Sequence, residues 1–270
     1  MMPNPLKLFY MAVWRNFLTL RRYKVNFLFS ILTSAVFGLG MLVFAALLNT
    51  SLLAETVGSA NYIAFLILGF SYQAWQGVAL WDASNIFQGE LSTGQIDYTF
   101  SCPFSRYWYI VSNIAASAVQ EAIFFIPVLC VGFWFTRATL TMTGIALGLA
   151  ATIVSVAALA QLGAIFASLV LRFRQVTAIF GFFNISFQIF TGMFIPIQLL
   201  PAPIQLFGQS LPQTFGIDLL RHYVMGTRPI MLVEYEWLML LIQLAVLAAI
   251  AKLVVLYLER EGKKQGLHYI

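Results

Sequence analysis

The stretch Phe87–Asn113, FQGELSTGQIDYTFSCPFSRYWYIVSN, is a polar connection between two long apolar runs. Gly94 permits a tight turn there, while Pro103 ends one helix and resets the chain for the next. Ser105 stands where its side chain can cap the helix that follows. The stretch therefore predicts two membrane-crossing helices joined by a short structured connection, with a plain solvated loop as the alternative.

The composition of the whole chain agrees with a membrane protein. Of the 270 residues, 61% are hydrophobic and 9% are charged, whereas soluble domains carry about 25% charged residues. A chain this apolar cannot cover a water-facing surface, so an integral membrane protein is expected. The net charge of +5 does not indicate a nucleic-acid partner, because the basic residues cluster at the edges of the apolar runs.

Six apolar runs are long enough to cross a bilayer, which takes about 20 residues each. They leave little room for a soluble domain, so residues 1–270 are predicted to form one all-α transmembrane domain. The predicted spans cover residues 25–48, 61–82, 107–135, 142–171, 175–197 and 237–258.

The N-terminal segment and the basic residues predict how the chain sits in the membrane. Residues 4–22 repeat apolar side chains at helical spacing, which indicates an amphipathic interface helix or, alternatively, an extension of the first span. Most Lys and Arg side chains lie in this segment, in the second and fourth connections and after the last span. Because such residues favour the cytoplasmic face, both termini are predicted to be cytoplasmic.

The connection after the fifth run is apolar yet broken by prolines. Two short helices dipping into the outer leaflet would explain both features, so residues 198–220 are predicted to form a re-entrant outer hairpin. Asp218 and Arg221 are three residues apart and are predicted to pair on one of these helices. The prolines that mark this region are Pro196, Pro201 and Pro212.

Polar side chains inside apolar runs mark functional positions or hydrogen bonds between helices. Glu121, well inside the third span, is the main candidate: it would contact cargo, carry a proton or pair with another helix. Gln73 and Gln76 on the second span are candidates for lining a path. One face of the fifth span is aromatic and either lines such a path or packs against lipid. Its residues are Phe183, Phe187, Phe190 and Phe194.

Catalytic motifs of soluble enzymes are largely missing. The Gly262-Lys263 pair is followed by Lys264, so it does not complete a P-loop pattern. His222 and His268 lack the spacing of metal ligands. We therefore expect no catalytic residue, no metal site and no cofactor on this chain, and any ATP-driven step would require a separate polypeptide.

Two groups of residues resemble the motifs of type-2 ABC exporter permeases. The first follows the pattern Glu-x-x-x-Gly-Thr-hydrophobic-Glu and then Pro-x-Ser-Arg, with Gln95 in place of the common Thr. The second is a Gly-x-x-x-Pro block, Leu-Pro, and a Pro nine residues before an Arg. The first is carried by Glu90, Gly94, Ile96, Asp97, Pro103, Ser105 and Arg106, and the second by Gly192, Pro196, Leu200, Pro201, Pro212 and Arg221.

The resemblance implies an assembly in a prokaryotic cytoplasmic membrane. Residues 87–105 would form a coupling helix on a nucleotide-binding ATPase subunit, which would hold ATP and Mg²⁺, and Glu90 and Asp97 would be exposed anions there. A second copy or homologue would complete the path through the lipid bilayer. Cargo would be a lipid-linked glycan, another lipid or a hydrophobic drug. The outer gate would comprise Pro196, Pro201, Pro212, Asp218 and Arg221.

Two other classes of protein remain open from the sequence. An ATP-independent carrier or channel would use Glu121 as its proton site. An intramembrane enzyme acting on lipid would need clustered acidic or histidine side chains, and Glu121 and Asp82 are expected to lie too far apart to form such a cluster.

Overall fold

A computed structural model describes residues 4–25, 27–33, 36, 40, 58, 62–136, 141–173 and 177–265. Every regular element within these ranges is helical, which confirms the all-α fold class. Most of the predicted first span, 25–48, lies outside the described residues, although residues 27–33 are helical.

Within the described part of the chain, the fold is built from nine helices with defined bounds, numbered in chain order. A single 3₁₀ turn at Ile197–Leu199 precedes the seventh. The helices are α1 (Pro5–Arg22), α2 (Tyr62–Thr93), α3 (Ile96–Ser101), α4 (Arg106–Thr136), α5 (Met142–Phe173), α6 (Thr177–Phe190), α7 (Ala202–Gln209), α8 (Pro212–Met225) and α9 (Val233–Gln265).

Three described helices are long and apolar enough to cross a membrane, at Tyr62–Thr93, Met142–Val170 and Val233–Glu261. Helix α4 has 31 residues and coincides with the predicted third span. The total of six spans stays a prediction.

Helix α6 is shorter than the predicted fifth span. Its 14 residues reach about 21 Å at ~1.5 Å per residue, against a hydrocarbon core of about 30 Å. It ends at Phe190 because the chain turns at Gly192, whose φ is 77°, and meets Pro196 soon afterwards. The predicted end at residue 197 is therefore too late.

Helix α2 contains an irregularity that the sequence did not predict. Its regular hydrogen bonding is interrupted at Tyr72, and residues Val78–Asp82 form a π-helical turn. The Ala83 amide donates to the Val78 carbonyl five residues earlier, which marks the extra residue in that turn. Such insertions often occur at functional sites, and this one follows Gln76.

Helix α5 lies at the centre of the bundle and packs against α2, α4, α8 and α9. Small residues allow this close approach: a Cβ built on Gly163 would lie 2.9 Å from the Ala79 carbonyl oxygen of α2. A Cβ on Gly216 of α8 would lie 2.3 Å from the Ser155 hydroxyl of α5. The main buried cluster therefore joins α2, α4, α5, α6, α8 and α9 into one core.

Helix α1 confirms the predicted N-terminal helix and packs along the first half of α4. Asn4 caps it by accepting a bond from the Leu6 amide, and Pro5 stands at its first position. Its exposed apolar side chains, including Tyr10 and Trp14, suit burial among lipid headgroups. Its place in the membrane interface stays a prediction.

Candidate functional site

The inner connection, which we define as residues 87–106, is the first candidate site. Helix α2 continues eleven residues past the predicted span end at 82 and stops at Thr93. Gly94 then adopts the left-handed conformation with φ of 68°, which confirms the predicted turn. The Gln95 amide donates to the Glu90 carbonyl at 2.9 Å, and the short helix α3 follows.

Glu90 braces this connection from inside. Its Oε1 accepts a hydrogen bond from the Tyr109 hydroxyl of α4, and its carboxyl group also bonds to Thr99. Arg15 of α1 lies within electrostatic range, and its Nη2 donates to Asn113 of α4 at 2.7 Å. The expectation that Glu90 is an exposed anion is therefore wrong, because α4 folds back over it.

Arg106 also serves the connection internally. It is buried, donates to the carbonyls of Cys102 and Phe104, and lies 5.2 Å from the centre of the Phe104 ring. Ser105 directly precedes α4 and so occupies the predicted cap position, and Pro103 lies in the bend between α3 and α4.

The exposed surface of the connection lies at its tip. The Tyr98 side chain on α3 is 78% exposed, and Gly94 and Gln95 beside it are also exposed. Asp97 lies on α3 as well, but its side chain lies outside what the structure describes. Tyr98 is thus a large exposed side chain at this tip, which the sequence reasoning did not single out.

A cluster of amides lies in the middle of the bundle. Gln76, fully buried, donates through Nε2 to the backbone carbonyl and the side-chain Oδ1 of Asn184 on α6. Gln213 of α8 donates to Gln76 Oε1 at 3.2 Å. Gln213 Oε1 and Gln73 Oε1 are buried and have no hydrogen-bond partner among the described residues. The cluster joins three helices and retains unused acceptors, and Gln213 was not singled out from sequence.

Glu121 lies in α4 and interacts electrostatically with Asp82 of α2. The two groups lie within electrostatic range of each other, and the expectation that they form no catalytic cluster stays a prediction. Both helices rise from the inner connection, Asp82 by eleven residues and Glu121 by fifteen, which places them about 16 and 22 Å above it at ~1.5 Å per residue. Among the described residues, no group of three metal-ligand side chains forms around them.

The aromatic face of α6 packs against protein within this chain. Phe183 lies 5.0 Å from Phe166 of α5, Phe187 is 1% exposed, and Phe190 lies 5.6 Å from Phe207 of α7, by ring centres. The exposed side of α6 includes Phe182 at 67%. A path along α6 in this conformation would therefore meet Phe182 before the face singled out from sequence.

The outer hairpin, residues 196–225, is the second candidate site, and Arg221 holds it together. The buried guanidinium donates to the carbonyls of Phe65, Gly192 and Met193 at 2.7–3.1 Å. It also lies 3.4 Å from the centre of the Phe65 ring, a cation–π contact. Arg221 therefore ties α8 to α2 and to the turn after α6.

Asp218 and Arg221 lie within electrostatic range of each other, but each makes its hydrogen bonds with other groups. Asp218 Oδ2 accepts from the Ile230 amide at 2.9 Å, and its carboxyl group hydrogen-bonds to Glu236 of α9. Glu236 Oε1 accepts from the Met231 amide at 2.8 Å. Burial raises the pKa of Asp218. A raised pKa favours the protonated carboxyl group, and two carboxyl groups can hydrogen-bond to each other only when one of them carries a proton. Glu236 was missed because it appeared to be only the polar start of a span.

The prolines of the outer hairpin lie where helices begin. Pro196 precedes the 3₁₀ turn, Pro201 precedes α7, and Pro212 is the first residue of α8. The two predicted short helices are thus present as α7 and α8. Whether they enter the membrane stays a prediction.

Comparison with known proteins agrees with this architecture. A search of curated proteins finds none that matches the chain. The family model described as ABC-2 family transporter protein matches residues 49–253, which covers the inner connection, the polar centre and the outer hairpin. The match extends over most of the chain, so this protein belongs to the ABC-2 transporter family.

Proposed function

We propose that this chain is the transmembrane subunit of an ABC exporter, driven by ATP and Mg²⁺ bound on separate nucleotide-binding subunits. Membership of the ABC-2 transporter family supports an association with ABC ATPase subunits. The observation that carries the proposal is the inner connection. It extends α2 beyond the predicted membrane edge and presents Tyr98 at its tip.

The contacts of the inner connection with α2 and α4 would transmit a displacement of its tip into the bundle. Glu90 and Tyr109 bond its α2 side to α4, and the Phe104 and Tyr109 rings lie 5.2 Å apart on its α4 side. A push on Tyr98 would therefore move the inner ends of α2 and α4 together. An exposed aromatic side chain on a rigid support is also the usual anchor of a protein interface.

The cargo we propose is amphipathic or lipid-like: a lipid-linked glycan, another lipid or a drug. The amide cluster at Gln76 offers hydrogen bonds inside otherwise apolar surroundings. The Oε1 atoms of Gln73 and Gln213 accept no hydrogen bond from the described residues, so they could accept one from cargo. Two subunits, as two copies or with a homologue, would place such surfaces around one path. The setting is a prokaryotic cytoplasmic membrane with both termini inside.

The test is to purify the subunit from native membranes in mild detergent and identify co-purifying proteins by mass spectrometry. We expect an ATPase at about one per permease. Tyr98→Ala should reduce its recovery, because the substitution removes the exposed anchor. Tyr235→Ala is the matched control, since Tyr235 is 55% exposed at the start of α9, on the predicted outer side.

One result would reject the exporter proposal, and another would reject only the role of Tyr98 as its anchor. The first is a preparation without ATPase that still moves solutes or ions in liposomes. The carrier alternative would then hold, and Glu121→Gln should abolish that movement because it removes the carboxyl group beside Asp82. The second is an equal ATPase recovery with Tyr98→Ala and Tyr235→Ala, which would show that the partner binds elsewhere.

A further inference from the structure

A cavity of about 330 Å³ opens between the start of α4 and residues 248–256 of α9. It lies on the outside of the bundle, away from the amide cluster and the outer hairpin. Its volume falls within the range of small-molecule sites in proteins. Its walls are formed by Ser105, Tyr107, Trp108, Ala248, Ala249, Lys252 and Leu256.

The walls of this cavity combine an apolar groove with one cation. Ala248 and Ala249 leave room because their side chains are small, and Trp108 and Leu256 form apolar sides. Among the described residues that line the cavity, Lys252 is the basic one and none carries a carboxyl group. A cation facing a groove without a carboxylate favours an anionic ligand with an apolar body.

In the predicted orientation, with the C-terminus inside, Lys252 would lie just below the inner headgroups. Trp108 is 43% exposed and Tyr257 is 56% exposed, and such aromatic side chains concentrate at the membrane–water interface. Lys252 precedes Tyr257 by five residues, so its backbone lies about 7 Å deeper at ~1.5 Å per residue. A lysine at that depth extends its ammonium group toward the phosphates while its stem stays in the apolar layer.

We propose that this cavity binds an anionic phospholipid of the inner leaflet. The phosphate would pair with the Lys252 ammonium, and the first part of an acyl chain would lie along Ala248 and Ala249. A zwitterionic lipid would bind less well, because its own cation would be repelled by Lys252. This site is independent of the cargo path and does not require the proposed exporter function.

A second copy of this chain is a poorer occupant. Two identical subunits meeting through this face across a two-fold axis would bring their two Lys252 side chains together. Like charges in a low-dielectric layer repel one another. A lipid phosphate instead neutralises the cation.

The first test compares lipids retained by the purified subunit in native mass spectrometry, with phosphatidylglycerol and phosphatidylcholine added equally. We expect one phosphatidylglycerol retained per chain. Lys252→Gln should reduce its preference over phosphatidylcholine about fivefold, the factor for one cation near an anionic surface. Arg172→Gln is the control, because Arg172 is an exposed cation at the inner end of α5 that does not line the cavity.

The second test keeps the charge and fills the cavity. Ala249→Trp should remove the retained phosphatidylglycerol, whereas Ala146→Trp, at an exposed position of α5, should leave it in place. Equal losses for Lys252→Gln and Arg172→Gln would overturn the proposal in favour of diffuse surface charge. Retention in Ala249→Trp, displacement by millimolar inorganic phosphate, or crosslinks between copies through Leu256→Cys with Cys102 and Cys130 replaced by Ser would also overturn it.

Discussion

The outer hairpin and the inner connection both join apolar helices of the bundle, yet they are held in opposite ways. Ten of the fourteen residues of α8 are buried in the outer hairpin. In the short helix α3 of the inner connection, Ile96 is buried while Tyr98 is 78% exposed. The outer hairpin is therefore enclosed by the bundle, whereas the inner connection projects from it.

The bonds of the two regions differ in the same way. In the outer hairpin they reach distant elements: Arg221 binds the Phe65 carbonyl 156 residues away, and Ser155 donates to the Pro212 carbonyl across 57 residues. In the inner connection they are local: Tyr109 and Glu90 are 19 residues apart, and Arg106 and Cys102 are 4 apart.

This difference shows how each region can move. The hydrogen bonds described for the inner connection link it mainly to the ends of α2 and α4, so we expect it to shift as a unit with them. The outer hairpin can open only by breaking bonds to α2, α5 and the turn after α6. A subunit that receives force inside and controls release outside needs these two properties. The following substitutions test the comparison.

The largest effect is expected from Arg221→Met. The substitution removes the donor to three buried carbonyls, and an unsatisfied buried polar group costs about 1–3 kcal/mol. We expect the free energy of unfolding to fall by about 3 kcal/mol or more. Unfolding of the purified subunit in mixed micelles of mild and denaturing detergent measures it.

The matched control is Arg228→Met, because Arg228 is exposed and follows the same hairpin. A change within about 0.5 kcal/mol is expected there. If the two variants lose equal stability, Arg221 does not hold the outer hairpin as argued.

Gly69→Ala should have the next largest effect. A Cβ at this position would lie 2.1 Å from the Met193 carbonyl oxygen and 2.2 Å from Arg221 Nη2, so the hairpin must shift. Overpacking of this kind costs about 1–3 kcal/mol. Gly77→Ala is the control on the same helix, because its Cβ would meet open space. It should stabilise by about 0.5–1 kcal/mol, measured by the same unfolding assay.

A loss of stability in Gly77→Ala as large as that in Gly69→Ala would contradict this. The cause would then be a general intolerance of α2 to substitution. The close approach of α2 to the outer hairpin would not explain it.

Hydropathy and turn residues predicted the framework of this fold. The lengths of α4 and α5, the turn at Gly94, and the two short helices after Pro201 and Pro212 all follow from local preferences that act within a few residues. The position of Ser105 before α4 is of the same kind. These features are determined by neighbouring residues and do not depend on how the helices pack.

The partners of the polar side chains could not be predicted in this way. Arg221 lies three residues from Asp218 yet bonds to Phe65 and Met193, because packing of α8 against α2 brings carbonyls nearer than the carboxylate. Glu90 was expected to face solvent, but α4 packs over it in the structure. The π-helical turn at Val78–Asp82 likewise depends on packing against α5, and no residue in it signals an inserted position.

Within the inner connection, Tyr109→Phe should have a smaller effect than the outer substitutions. It removes the hydroxyl that donates to Glu90, whose Oε2 is already buried without a partner. We expect a loss of about 1–2 kcal/mol. A double-mutant cycle with Glu90→Gln should show coupling between the two sites, and Tyr98→Phe serves as the exposed control.

Additive losses in that cycle would mean that Glu90 and Tyr109 do not brace each other. In the assembled transporter, the Tyr109→Phe and Glu90→Gln substitutions should lower cargo-stimulated ATP hydrolysis more than Tyr98→Phe does. Without the bond between α2 and α4, a displacement of the connection would be transmitted less fully to both helices.

The smallest effect, and the sharpest contrast, is expected between two glycines of the inner connection. Gly94→Ala forces a Cβ into the left-handed conformation at φ of 68°, which costs about 1 kcal/mol although the space around it is open. Gly89→Ala, five residues earlier in the interior of α2, should instead stabilise by about 0.5–1 kcal/mol. The two variants add the same methyl group to the same segment, so opposite signs in the unfolding assay isolate the backbone turn as the cause. Equal signs would show that Gly94 is not needed for the turn, and α3 would then be oriented by Ile96 and the Glu90 brace alone.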